Sequence, residues 1–252
     1  MPVLIDKQDR VISLTWDRPP LNVLDVALLR ELADALTDCA SASADIVILR
    51  GAGQRAFSAG VDIRDHTVEK VPEMLAVVHG VIRQLLALPQ VTIATVRGLC
   101  LGGGCEVASS CDFVLATEGS TFATPEILVG CYPPVALARF TNLIGYHRAA
   151  EMILTGKRIS AREAQGMGLI NRICAETELE TALDLLVRDL LEKSGAVLRL
   201  TLKGLRELSL RGFEQALQRS EEIYCSELLQ TADVEEGIKA FLEKRTPRWR
   251  HQ

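Results

Sequence analysis

The chain has 252 residues, of which 48% are hydrophobic and 24% are charged, so it is long and apolar enough to bury a substantial core. The formal net charge is −5, and lysine and arginine are scattered rather than clustered, which argues against a nucleic-acid partner. We expect a cytoplasmic protein with no membrane partner, because the sequence has no basic stretch followed by an apolar run and no window near the ~20 apolar residues of a membrane helix.

Predicted strands and helices alternate in the first half of the chain. Short runs rich in valine and isoleucine predict strands at Val11–Trp16, Ile46–Arg50, Val91–Val96 and Asp112–Ala116. Apolar residues at helical spacing predict helices at Val23–Cys39 and Val71–Leu88. This alternation predicts an α/β fold, a layered core of ββα or βα units rather than an antiparallel barrel.

From about residue 147 the pattern becomes mainly helical. The predicted helices are His147–Leu154, Ser160–Gly166, Leu179–Glu192, Ala196–Leu208, Phe213–Leu229 and Val234–Glu243, with one strand at Leu169–Cys174. Ser160 and Glu163 have the spacing of a capping box. Without a linker in the sequence, we predict a catalytic core at residues 1–190 and a helical oligomerisation region at residues 191–252.

Two glycine turns are candidates for binding a negatively charged oxygen. Gly102–Gly104 follow the strand Val91–Val96 and open an apolar helix, where free backbone amides and the helix N-terminus attract an anion or a developing oxyanion. The turn Phe57–Asp62 would leave another amide free, and two such amides can stabilise an enolate. Ordinary structural turns are the alternative for both. The P-loop and Rossmann glycine patterns are missing from the sequence.

Two glutamates lie in apolar surroundings. Glu106 is in the first turn after the glycines, and Glu126 stands between Pro125 and Ile127. If they share a pocket, their mutual repulsion keeps one protonated while the other is ionised, which provides one acid and one base. Exposed salt bridges are the alternative.

Several ordered motifs over nearly the whole chain resemble the crotonase (enoyl-CoA hydratase/isomerase) superfamily. The main ones are Ala59–Asp62, Leu101–Glu106, Cys111–Asp112 and Pro125–Gly130, with others at Arg18–Asn22, Leu154–Ala161 and Phe241–Arg245. The resemblance implies a crotonase-like spiral of ββα units with a C-terminal helical trimerisation region, assembled as a homotrimer or homohexamer. It also implies an acyl-CoA thioester substrate, so coenzyme A is part of the substrate and no separate cofactor is expected.

The resemblance also implies roles for four residues. The backbone amides of Ala59 and Gly103 would form the oxyanion hole, Glu106 would activate the water that adds to the β-carbon, and Glu126 would protonate the α-carbon. Having both glutamates favours an enoyl-CoA hydratase. An isomerase that shifts a double bond and a non-catalytic acyl-CoA-binding subunit are the alternatives.

Coenzyme A contacts are implied for three basic residues, Arg64, Lys244 and Arg245. The last two would reach the ligand of a neighbouring subunit. Solvated surface charge is the alternative for all three.

One segment departs from the family pattern. Cys131–Leu137 stands where typical hydratases have a glycine-rich stretch, and its prolines should stiffen the next helix start and reshape an acyl pocket lined by Tyr132 and Pro133. A packed surface tyrosine is the alternative at Tyr132. Gly130–Pro134 and Asp65–Val71 together resemble the cyclic dienoyl-CoA hydratases of aromatic-ring degradation, which implies cyclohexa-1,5-diene-1-carbonyl-CoA as substrate.

Metal and covalent chemistry find no support in the sequence. Neither the four histidines nor the seven cysteines have the spacing of metal ligands, so we predict no metal and no catalytic histidine, and mostly buried, reduced thiols. Ser109, Ser110 and Cys105 lack the Gly-x-Ser-x-Gly turn of an activated nucleophile.

Overall fold

A computed structural model describes residues 3–252 of the protein. The ten strands of these residues form two β-sheets. In chain order they are β1 (Val3–Gln8), β2 (Val11–Trp16), β3 (Ile46–Gly51), β4 (Ala56–Ser58), β5 (Val91–Val96), β6 (Leu99–Leu101), β7 (Phe113–Thr117), β8 (Thr121–Ala123), β9 (Ile159–Ser160) and β10 (Arg172–Cys174). The larger sheet has the order β1-β2-β3-β5-β7-β10, and the smaller one has the order β4-β6-β8-β9.

Ten α-helices connect and cover these sheets within the same residues. They are α1 (Val26–Ser41), α2 (Val71–Ala87), α3 (Gly103–Ser109), α4 (Pro134–Ile144), α5 (Tyr146–Thr155), α6 (Ala161–Met167), α7 (Leu179–Leu191), α8 (Gly195–Ser209), α9 (Phe213–Ser226) and α10 (Ala232–Leu242). Short 3₁₀ turns occupy Ile63–Asp65, Pro125–Val129 and Leu228–Gln230. None of the helices between residues 3 and 252 combines the length and apolar character that crossing a bilayer would take.

The chain repeats one unit as it winds through the two sheets. β3, β5 and β7 join the larger sheet, and each is followed by a strand of the smaller sheet, β4, β6 or β8. A helix comes after each of the first two pairs, and a 3₁₀ turn and α4 come after the third. Neighbours along β2-β3-β5-β7 and along β4-β6-β8 are parallel, as successive turns of a spiral require. This confirms the predicted α/β fold of ββα units with C-terminal helices.

Several boundaries differ from the sequence prediction for local reasons. The first helix begins at Val26 rather than Val23, because the Asp25 side chain accepts a hydrogen bond from the Leu28 amide and caps the helix there. The predicted helix Phe213–Leu229 ends at Ser226, and the predicted strand Leu169–Cys174 is only β10. The sequence analysis does not predict the short strands β4, β6 and β8, because three residues are too few to show an alternation of apolar and polar side chains.

Two smaller predictions are confirmed. Ser160 and Glu163 form the capping box at the start of α6, with both reciprocal hydrogen bonds present. Six of the seven cysteines are buried and unpaired, and only Cys225 is exposed.

A nearly buried ion pair attaches α8 to the larger sheet. The Arg206 guanidinium donates to Asp112 at 2.5 and 3.0 Å and to the carbonyl oxygens of Leu86 and Gln90 at 3.3 Å each. Asp112 also accepts from the amide and the hydroxyl of Thr92 at 2.7 and 2.8 Å. The opposite face of α8 leaves four apolar side chains exposed, Val197, Leu200, Leu205 and Leu208.

We predict that Asp112→Ala lowers the free energy of unfolding by about 3 kcal/mol, because it leaves a nearly buried guanidinium without its carboxylate. Denaturant unfolding at one fixed protein concentration measures this. The control is Glu207→Ala, which removes an exposed partner of Lys203 on the same helix and should change stability by less than about 0.5 kcal/mol. Equal losses in the two variants would contradict the assignment.

Candidate active site

A cavity of about 460 Å³ opens at the N-terminus of α3, between the two glycine turns. One wall consists of the turn Ala59–Val61 and of Gly102, Gly103 and Glu106. Glu126 and its 3₁₀ turn form a second wall, and side chains from α2, α9 and α10 complete it. The structure therefore brings both predicted glycine turns and both predicted glutamates into one space.

Glycine is required in the α3 turn because other groups approach its backbone closely. A Cβ atom on Gly102, which has φ +51°, would lie 2.6 Å from Glu126 Oε1. A Cβ atom on Gly103 would lie 2.6 Å from Val61 Cγ2. Both distances are shorter than any ordinary carbon contact, so the glycines are what lets the carboxyl group and the neighbouring turn come this near.

The hydrogen bonds of the turn 58–62 identify which of its amides is free. The Ala59 amide donates to the Leu21 carbonyl at 2.9 Å, and the Gly60 amide donates to the Ser58 hydroxyl at 3.0 Å. The Asp62 amide donates to a carbonyl at 3.0 Å, that of Leu24. The Val61 amide has no acceptor among residues 3–252.

The oxyanion-hole assignment therefore needs a correction at one of its two positions. Ala59 was expected to donate, but its N–H is already bonded, and Val61 two residues later provides the free amide. The Val61 nitrogen lies 3.7 Å from the position that a Gly103 Cβ would occupy. Gly103 is the first residue of α3, so its own amide has no partner within the helix. Val61 and Gly103 thus present neighbouring free N–H groups to the cavity.

Glu106 is buried and is held by the next helix. Its Oε1 accepts a hydrogen bond of 2.9 Å from the amide of Ala136, in the first turn of α4. Burial raises the pKa of Glu106 to about 7, while the amides of Ala136 and Val135 oppose that rise by favouring the ionised form.

Glu126 lacks comparable support. Its Oε2 atom is buried without a hydrogen-bond partner in the described part of the chain. Burial first, and then the negative charge of Glu106, raise the pKa of Glu126 to about 8. The amides that contact Glu106, and the effect of its charge on Glu126, both favour Glu106 as the carboxyl group that ionises first.

The three predicted coenzyme A residues lie outside the cavity wall. Arg64 is 68% exposed and donates to Asp62 at 2.9 and 3.2 Å, which lowers the pKa of that carboxyl group. Lys244 is exposed, and Arg245 forms ion pairs with Glu236 and Glu243. None of the three lines the cavity that contains Glu106 and Glu126 in this single chain.

Arg158 is a cation that the sequence analysis missed. It is exposed and contributes to the cavity wall, and no ion pair holds it within residues 3–252. The only available signal was its position inside the motif Leu154–Ala161, which does not distinguish it from the neighbouring Lys157.

Tyr132 and Pro133 do line the cavity, together with two C-terminal aromatic residues that were not predicted. The Tyr132 hydroxyl donates to the Ser220 carbonyl at 2.6 Å, and its ring meets the ring of Tyr224 edge to face at 5.0 Å. Tyr224 from α9 and Phe241 from α10 complete this side. In the sequence both look like ordinary core positions of amphipathic helices.

Comparisons with known proteins identify one family over nearly the whole chain. The sequence profile described as "Enoyl-CoA hydratase/isomerase" matches residues 6–252. The chain is 30% identical to cyclohexa-1,5-dienecarbonyl-CoA hydratase of Thauera aromatica, over 100% of this chain and 97% of that protein. It is 33% identical to 2,3-dehydroadipyl-CoA hydratase of Escherichia coli, over 97% of each. The crystal structure of an enoyl-CoA hydratase from Mycobacterium avium subsp. paratuberculosis superposes with a TM-score of 0.90 at 31% identity, covering 99% of this chain and 98% of that one.

We predict that Glu126→Gln stabilises the protein at alkaline pH. The folded-state pKa of Glu126 is raised above its usual value, so the wild type loses stability as pH rises toward 8 and ionisation is forced on a buried group. Glutamine has no such loss, and the variant should gain about 2 kcal/mol at pH 9 but little at pH 5. Thermal unfolding at both pH values tests this, with the exposed Glu118→Gln as control. A gain of equal size at both pH values would contradict the electrostatic cause.

Proposed function

Because the chain belongs to the enoyl-CoA hydratase/isomerase family and is a hydro-lyase-type enzyme, we propose that it adds water to the double bond of an α,β-unsaturated acyl-CoA thioester. The observation that carries this proposal is the convergence of Glu106 and Glu126 on one cavity beside two free backbone amides. An acid, a base and an oxyanion-binding site are the parts that such an addition needs.

The proposed reaction begins with the thioester oxygen between the amides of Val61 and Gly103. Ionised Glu106 takes a proton from water as the water oxygen bonds to the β-carbon, and the electrons of the double bond move onto the thioester as an enolate. Protonated Glu126 then gives its proton to the α-carbon. The product is a 3-hydroxyacyl thioester, and transfer of one proton from Glu106 back to Glu126 restores the starting state.

The ionisation order of the two carboxyl groups supports these roles. Glu106 accepts a hydrogen bond from the start of α4, which favours its charged form, and so it suits the base. Glu126 has an unpartnered oxygen and a negative neighbour, which favour its protonated form, and so it suits the acid. The second candidate function is that of an isomerase, which moves a proton from one carbon to another. Such a reaction would need only one of the two carboxyl groups at a time.

A cyclic dienoyl group is our proposal for the acyl portion. The relative from Thauera aromatica bears the name of such a hydratase, and it is similar over the full length of this chain. Tyr132 and Pro133, from the segment that departs from the usual hydratase pattern, line the cavity.

We further propose that the protein works as a homotrimer or homohexamer in the cytoplasm. The exposed apolar face of α8 supports an oligomer formed through residues 191–252, with residues 1–190 as the catalytic core. In such an assembly Lys244 and Arg245 would contact the coenzyme A of a neighbouring subunit. In its own subunit the coenzyme would meet Arg158 at the cavity wall, with Arg64 further out.

We expect purified protein to bleach the absorbance of an enoyl- or dienoyl-thioester and to add the mass of one water. Glu106→Gln and Glu126→Gln should each lower the rate about 10²- to 10⁴-fold, because each removes a proton-transfer group. An unchanged acyl mass with a shifted double bond would favour the isomerase instead. If both variants hydrate the thioester at the wild-type rate, the assignment of Glu106 as base and Glu126 as acid is wrong.

The proposed oxyanion hole can be tested with one substitution that creates a steric clash and a second one that removes it. Gly103→Ala places a Cβ atom 2.6 Å from Val61 Cγ2 and should separate the two amides, which lowers kcat about 10²-fold or more. Adding Val61→Ala removes the conflicting methyl group and should recover a large part of kcat. If the double variant is as slow as the single one, the amide of Val61 is not the second donor.

A further inference from the structure

Two buried polar atoms in the cavity wall have no nitrogen or oxygen partner within residues 3–252. They are His79 Nε2 on α2 and the Tyr224 hydroxyl on α9, from residues that line the cavity and are 0% and 1% exposed. The Tyr224 hydroxyl has only the Cys131 thiol, a weak hydrogen-bonding group, beside it. Weakly satisfied buried polar atoms are costly, so two of them in the wall of one cavity point to a ligand group that completes their hydrogen bonds.

Glu221 fixes the orientation of the His79 ring. Its Oε1 lies 2.5 Å from His79 Nδ1, and a carboxylate can only accept, so Nδ1 carries the hydrogen. Arg83 donates to the same Oε1 at 3.3 Å and to Glu214 at 3.0 and 3.1 Å, which keeps Glu221 in place. Burial lowers the pKa of His79, so the ring is neutral and Nε2 offers a lone pair to the cavity.

Tyr224 supplies the complementary donor. It lies on α9 three residues after Glu221, near the Cys131 thiol and the Glu126 carboxyl. Burial, the leading cause, raises the pKa of its phenol well above the usual range, so the hydroxyl keeps its hydrogen. Its ring is fixed by the edge-to-face contact with Tyr132.

We propose that His79 and Tyr224 form a subsite for a hydroxyl group carried by the acyl portion of the substrate. The proposal rests on the proposed function and adds a substituent to its acyl group. A hydroxyl group would donate to His79 Nε2 and accept from Tyr224, which satisfies both buried atoms at once.

Other acyl groups fit this pair less well. A ketone only accepts and would leave Nε2 unpaired. A carboxylate would meet the negative charge of Glu221 behind His79 and the nearby Glu126. A hydrocarbon would leave both atoms without partners.

The test is binding of saturated acyl-CoA thioesters, which cannot be hydrated. Pairs of hexanoyl-CoA and its 4-, 5- or 6-hydroxy form, and of cyclohexanecarbonyl-CoA and its ring-hydroxylated forms, are compared by calorimetry. We expect at least one hydroxylated member to bind roughly 10- to 100-fold tighter than its parent. Tyr224→Phe, which removes one oxygen atom, should reduce that preference at least about five-fold, and His79→Leu should do the same.

Tyr146→Phe is the control, because Tyr146 is 70% exposed on α5 and does not line the cavity. Its loss of one hydroxyl should leave the ratio of the two dissociation constants unchanged. The proposal is overturned if no hydroxylated thioester is preferred, or if the preference survives in both Tyr224→Phe and His79→Leu.

Failure of this inference can be told apart from failure of the proposed function. Hydration of unsubstituted enoyl-CoA without any hydroxyl preference in binding would remove only the subsite. A hydroxyl preference in a protein that hydrates no thioester would support the subsite and remove only the hydratase assignment.

Discussion

The close approach of three backbone segments at Gly102 and Gly103 is the constraint on which the site depends. The turn around Val61 and the carboxyl group of Glu126 both occupy space that a side chain on these glycines would fill. The parallel strands β4, β6 and β8 deliver these segments side by side, because each strand of the smaller sheet ends next to its neighbour. The spiral thus determines where the two amides and the Glu126 carboxyl group meet, and the glycines determine how near they come.

Electrostatic asymmetry follows from that packing. Both carboxyl groups are removed from water, and the charge of Glu106 raises the free energy of ionising Glu126. Glu106 is compensated by amides at the start of α4, where Pro134 begins the helix, whereas Glu126 has only its own backbone amide to oppose the rise in its pKa. The start of α4 therefore favours Glu106 over a chemically identical group as the one that ionises first. The segment that departs from the usual hydratase pattern supplies that helix start, so its change bears on the acid–base pair as well as on pocket shape.

The sequence predicted the architecture and the convergence of Glu106 and Glu126 on one cavity, because long strands, amphipathic helices and the order of motifs are visible in one dimension. It failed where the answer depends on which backbone group is already bonded. Ala59 and Val61 belong to the same glycine turn, and only the hydrogen bonds to Leu21, Ser58 and Leu24 show which amide is left free. Arg158 and Tyr224 were missed for a related reason, since a cation near a motif and an aromatic in a core helix have many ordinary uses.

The groups around the cavity come from two different parts of the chain. The free amides and both glutamates come from residues 61–126, within the repeated strand and helix units. Tyr224 and Phe241 come from helices near the C-terminus, and the ring of Tyr224 on α9 contacts the ring of Tyr132, which precedes α4. Substitutions in α9 and α10 can change the shape and polarity of that side of the cavity without moving Gly103 or Glu106. Neither the glycine turn nor the two carboxyl groups form hydrogen bonds to these helices within residues 3–252. A fold built in this way can keep one arrangement of amides and carboxyl groups while its helical C-terminal part changes the far side of the cavity.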